Sequence, residues 1–166
     1  MSTLSVWRFD TPDGAEDAVA TLRSLDQQRL ITVLDAATVS WQPGARKPKT
    51  RQLHDITGSG ALGGAFWGML FGLLFLVPLL GAAIGAAAGA LAGRLTDVGI
   101  DDDFIRRAKE DITPGTSALF VFSRDAVIDR VQQAFAGAQA ELMFTNLSEE
   151  EEAKLREAFS EEALAR

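Results

Sequence analysis

Three groups of residues have the types and spacing to suggest chemistry. Gly58, Gly60 and Gly63 spell G-x-G-x-x-G, a run that cradles a pyrophosphate when it follows a buried strand and opens a helix. The preceding residues 50–57 are largely polar, and no acidic residue follows at the spacing that would hold a ribose. A nucleotide site is therefore not expected. His54 is the only histidine, with Asp55 beside it. A catalytic or haem-ligand role is conceivable, but one histidine without cysteine or a second histidine makes a poor metal site. Its place ahead of an apolar segment suits an interfacial or capping role. Asp101, Asp102 and Asp103, and likewise Glu149, Glu150, Glu151 and Glu152, form acidic runs. Both fall at expected helix starts, where acids stabilise the positive end of the macrodipole, and neither has the alternating ligand spacing of a calcium loop.

Composition narrows the classes further. The chain has 166 residues and a net charge of −7, which argues against a nucleic-acid partner. It contains no cysteine, which removes disulfides, thiolate metal sites and thiol catalysis. No serine, lysine or carboxylate pair forms a recognisable nucleophile arrangement. The expectation is a non-enzymatic protein with no catalytic, cofactor-binding or metal-binding residues and no small-molecule ligand. The amino terminus has neither a basic n-region nor a long apolar core, so it is expected to stay in the cytoplasm.

The dominant feature is structural. Residues 56–93 carry no charged side chain and hold ten of the fifteen glycines. Gly60, Gly64, Gly68 and Gly72 keep a four-residue beat, as do Gly81, Gly85, Gly89 and Gly93, with Pro78 between the blocks. Glycine costs a helix about 1 kcal/mol against alanine. On one helix face at this spacing it opens a groove where another backbone approaches closely. The pattern predicts a glycine-zipper hairpin, with Val77, Pro78 and Leu79 at its tip. Phe66, Trp67, Leu70, Phe71, Leu74 and Phe75 are expected to face lipid or a partner. As helices the arms would be roughly 33 Å and 22 Å long, against a hydrocarbon core of about 30 Å. An apolar tip and a short second arm favour a re-entrant hairpin, or packing against copies of itself.

The flanking sequence must form the domain that carries this hairpin. Residues 4–9 alternate as a half-buried strand, with Leu4 and Val6 on one face. Asp10, Thr11 and Pro12 start a helix to about residue 28, striped by Ala15, Ala18, Val19, Leu22 and Leu25. Residues 30–42 are β-rich, Pro43 and Gly44 turn, and 47–53 return as a hairpin strand. A short helix follows at 101–111, and residues 117–123 read as a central strand. A helix over 124–136, a strand over 141–145 and a capped helix from Ser148 to about residue 164 complete the order. Trp7 and Trp41 are expected in the sheet core. Two βαβ halves predict an α+β, ferredoxin-like sandwich: residues 1–55 and 95–147 as a discontinuous domain, 56–94 as the inserted hairpin and 148–166 as a charged C-terminal helix.

Arg46, Lys47, Lys49 and Arg51 precede the apolar block, and Arg94, Arg106, Arg107 and Lys109 follow it. Cations on both flanks fit a hairpin entering a membrane from the cytoplasm. The run from Pro78 to Ala90, the segment from Leu95 to Phe104, and Pro114-Gly115-Thr116-Ser117-Ala118-Leu119-Phe120 together resemble a bacterial family of predicted membrane proteins that share a domain of unknown function. The resemblance covers nearly the whole chain. It implies membrane association with a glycine-rich hairpin and supplies no catalytic residue. The expected function is a self-assembling homo-oligomeric scaffold at the bacterial inner membrane, its soluble domain in the cytoplasm. Alternatives are a soluble cytoplasmic oligomer or shell with buried hairpins, a small pore, and a ligand-binding ferredoxin-like module.

Overall fold

The computed structural model describes residues 2–53, 67, 70, 71, 74, 75, 102–124, 133, 134 and 141–147. The elements are β1 (Ser2–Phe9), α1 (Gly14–Gln27), β2 (Thr32–Ser40), β3 (Lys49–Gln52), α2 (Asp102–Asp111), β4 (Ser117–Arg124) and β5 (Glu141–Leu147). The fold is α+β, built on an antiparallel sheet of strand order β3-β2-β4-β1-β5. β4 lies between β1 and β2, pairing Val6 with Phe120 on one side and Ala37 with Phe120 on the other.

Each strand position follows from its apolar pattern. β4 is buried from Ser117 to Ser123, as a continuous apolar run in a central strand requires. β1 departs from the expected half-buried alternation. Leu4 and Val6 join one cluster, while Trp7 and Phe9 are buried in another on the opposite face. It pairs on both edges, with β4 and β5, and both of its faces are covered. β2 carries a register shift between Val33 and Asp35, which puts one extra residue, Leu34, on that strand.

α1 covers one face. Its buried stripe of Ala15, Ala18, Val19, Leu22 and Leu25 is the one its spacing predicts, and it meets Trp7, Phe9, Leu119 and Val121. Its start is less local than the sequence suggests. The N-cap residue is Asp13, whose side chain makes no capping bond. The hydroxyl of Ser117, in β4, instead accepts from the Ala15 N–H at 2.9 Å and donates to the Thr11 carbonyl at 2.7 Å. Ser40 in β2 adds a hydrogen bond to the Pro12 carbonyl at 2.6 Å. Gly14 is required at the joint, because a Cβ there would lie 2.5 Å from Phe9 Cβ. At the far end Arg29 adopts φ 60°, and the Leu30 N–H reaches the Leu25 carbonyl at 3.1 Å, a helix stop usually given to glycine.

The second face is covered by Phe104 and Ala108 of α2, by Ile112 just after it, and by residues of the apolar segment. Arg8 extends from β1 to this side, donating from Nε to the Asp111 carbonyl at 2.6 Å and from a guanidinium nitrogen to Asp10 at 2.7 Å. A cation at the last carbonyls of α2 is favourable to the helix dipole. Gly115 turns the chain into β4 at φ 89°. Its N–H bonds the Trp41 carbonyl at 2.7 Å, and the Thr116 hydroxyl closes the turn on Thr113 O at 2.6 Å.

Removing the hydroxyl that caps α1 leaves a buried N–H without its acceptor. Ser117→Ala is expected to cost about 1–2 kcal/mol, read as a lower denaturation midpoint with an unchanged slope.

Candidate functional site

The apolar residues 67, 70, 71, 74 and 75 recur at i, i+3, i+4, i+7 and i+8, the spacing of one helical stripe, and all five are helical. Trp67, Leu70, Phe71 and Leu74 are buried, and Phe75 is half-buried. They join Leu4, Val6, Ala37, Val39, Phe120 and Phe122 in one cluster on the sheet. The sequence reading gave these five positions to lipid or a partner. The structure places them against the chain's own strands, because the second face of β4 offers Phe120 and Phe122 and needs a cover.

The contact is built from aromatic rings. Phe71 meets Phe120 edge to face at 5.2 Å between centroids, and Trp67 meets the same ring at 6.2 Å. Trp67 and Phe71 stack at 5.7 Å, and Phe71 and Phe75 at 6.1 Å. These separations fall in the favourable range for aromatic pairs. Phe75 also meets Trp41 edge to face at 5.7 Å, and Trp41 packs against the same cluster. Of the other residues singled out in the sequence, Phe66, the eight glycines, Val77, Pro78, Leu79 and His54 lie outside the described residues.

Polar groups that sequence reasoning missed sit at the β2 edge. Asp35 is fully buried and accepts from the Ala36 N–H at 2.9 Å and from Gln52 Nε2 at 3.4 Å. A single acid inside an apolar β-rich run was its only signal. Glu16, in the first turn of α1, accepts from Arg51 of β3 through Nε at 3.2 Å and through a terminal nitrogen, and from the Thr38 hydroxyl at 2.6 Å. The Arg51 hydrogen bonds hold the Glu16 carboxyl below its ordinary value, against partial burial that raises it, with Thr38 and the Arg51 charge adding to the lowering. Arg51 is raised in turn by the Glu16 hydrogen bond. These contacts tie α1 to the sheet edge. Among the described residues no group of three or more His, Cys, Asp or Glu is placed to hold a metal ion. Among them, too, no helix is long and apolar enough to cross a membrane.

Two expectations follow from this geometry. Phe71→Ala removes a ring from a packed cluster and should cost about 3–5 kcal/mol, seen as a large fall in denaturation midpoint. The Glu16 carboxyl has a lower pKa folded than unfolded, so its contribution is present above the ordinary value of 4.5 and is lost as pH falls through the folded value. Both side chains of the pair are more than a third exposed, which limits the contribution to about 0.5 kcal/mol. The stability difference between wild type and Glu16→Gln should therefore be small at neutral pH and vanish on acidification.

A family model described as a protein of unknown function (DUF1269) matches residues 61–160. The matched span is shorter than the near-complete resemblance expected. It takes in the aromatic stripe and the β4 strand that the stripe covers, and it leaves β1, α1, β2 and β3 outside. No curated protein matches the chain. No solved structure matches it either.

Proposed function

The chain belongs to the DUF1269 family, whose description assigns no activity, and we propose from its own physical chemistry that it is a non-enzymatic, membrane-associated scaffold assembling through its glycine-patterned segment. The observation that carries the assembly part of this reading is the burial of Trp67, Leu70, Phe71 and Leu74 on the sheet of the same chain. At helical spacing Gly68 and Gly72 fall about a quarter to a third of a turn away from that stripe. The large side chains anchor the segment to the sheet, and the glycine positions are left for the close approach of a second helix.

The same reading extends to the fold. The order β5-β1-β4-β2, with β1-α1-β2 bracketing β4, supports reading the sheet as a split βαβ, ferredoxin-like one with β3 added at one edge. Residues 56–94 form a hairpin inserted between its halves. The absence of charge from 56 to 93, with cations on both flanks, supports association with the bacterial inner membrane from the cytoplasmic side. The in-chain burial of four large apolar residues also supports a second reading, a soluble oligomer, since it reduces the apolar surface that lipid would have to cover.

Sizing of the full chain with and without detergent, alongside cell fractionation, tests both. A membrane-pelleting oligomer is expected. A discrete oligomer in the soluble fraction selects the second reading, and a stable soluble monomer overturns both. The double variant Gly64→Leu/Gly85→Leu should assemble at least tenfold less tightly, as expected for a blocked close helix approach worth about 1.4 kcal/mol or more, while its circular dichroism retains the sheet. Assembly equal to wild type would remove the glycine faces as the contact.

A further inference from the structure

The loop between β2 and β3 carries Arg46 and Lys47, and β3 opens on Lys49, all exposed, in a chain of net charge −7. No acidic residue lies between Asp35 and Asp55. Arg51, the fourth cation, is held by Glu16, whereas among the described residues Arg46, Lys47 and Lys49 form no ion pair.

The loop is held in place by contacts that lead to the apolar segment. The Ala45 N–H bonds the Gln42 carbonyl at 3.1 Å, and Gly44 turns at φ 82°. Trp41 Nε1 donates to the Ala45 carbonyl at 3.0 Å, one residue before Arg46. The Trp41 ring in turn meets Phe75 at 5.7 Å. Phe75 is the last described residue of the aromatic stripe, and the sequence continues from it without a charge to Gly93. Through Trp41 the fold thus links Phe75 to the start of a run of three cations that form no ion pair among the described residues.

We propose that the β2–β3 turn, from Arg46 and Lys47 to Lys49 at the start of β3, is a docking surface for anionic phospholipid headgroups. The proposal rests on the membrane association proposed above and adds to it a lipid charge class and a site. Charge complementarity selects the occupant: cations linked through Trp41 to Phe75, after which the sequence is uncharged to Gly93, match a surface that presents phosphate above hydrocarbon. Arg51 contributes to the hairpin's shape through Glu16 and stands outside the lipid-binding set.

The test is co-flotation of the full-length chain with vesicles of phosphatidylcholine alone or mixed with phosphatidylglycerol, at low and high salt. Wild type should bind the anionic vesicles more tightly, and salt should remove that excess. The triple variant Arg46→Gln/Lys47→Gln/Lys49→Gln should lose the excess by about a hundredfold, with unchanged circular dichroism and unchanged binding to neutral vesicles. Removing three cations from α2, as Arg106→Gln/Arg107→Gln/Lys109→Gln, should leave the excess in place. An equal loss in the α2 variant overturns the loop as the site, and so does a triple variant that binds anionic vesicles as wild type does. Competition by excess inorganic phosphate would mean an ion site rather than a lipid surface. Loss of assembly by the triple variant in lipid-free buffer would mean that the loop pairs with an acidic surface of a second copy. Wild type that binds neutral and anionic vesicles equally overturns the loop proposal alone. Failure to bind either removes membrane association itself.

Discussion

A central strand with large apolar side chains on both faces must be covered on both, and β4 imposes that requirement on the rest of the chain. Leu119 and Val121 point to one side and Phe120 and Phe122 to the other. Each face left in water would forfeit roughly 1.5–3 kcal/mol for every large apolar side chain exposed. α1 meets the first demand with a regular amphipathic stripe. The second demand is met jointly, by the short α2 and by the aromatic stripe of the apolar segment. What looks in the sequence like a detached hydrophobic appendage is, at Trp67, Leu70, Phe71 and Leu74, part of the core.

Polar groups secure the joints between these layers, and most act across long sequence separations. Ser117 and Ser40 fasten the α1 entry turn from two different strands. Arg8 reaches from β1 to the end of α2. Gly115 and Thr116 exchange backbone bonds with Trp41 at the end of β2. Each bond satisfies a backbone group at a chain reversal, where regular secondary structure offers no partner. The aromatic cluster supplies cohesion, and these bonds fix the angles at which the layers meet.

Local patterning carried much of this fold. The stripe of α1, the Pro43-Gly44 turn, the short helix ending at Asp111 and the unbroken apolar run of β4 are visible as periods of 3.6 or as strand-like runs with turn residues between them. Long-range consequences were not visible. The burial of both faces of β1 depends on where β4 and β5 lie, and the capping of α1 depends on a serine 102 positions away. The aromatic stripe shows the same limit. Its spacing says that Trp67, Leu70, Phe71 and Leu74 share a face, but a period cannot say what that face meets. Lipid, a second copy and the chain's own sheet all present the same apolar chemistry.

The strand order also fixes a sequence of events during synthesis. β1 and β2 are not neighbours, since β4 lies between them. The last described residue of the aromatic stripe is Phe75, whereas the strand bearing Phe120 and Phe122 ends at Arg124. At the usual elongation rate of about 5–20 residues per second, that separation is worth roughly 2–10 s. For that interval the nascent chain displays its most apolar segment before the surface it covers exists. The partition of that segment between the sheet and any other apolar surface is thus a contest of timing as well as of affinity, set by the placement of the segment ahead of β4.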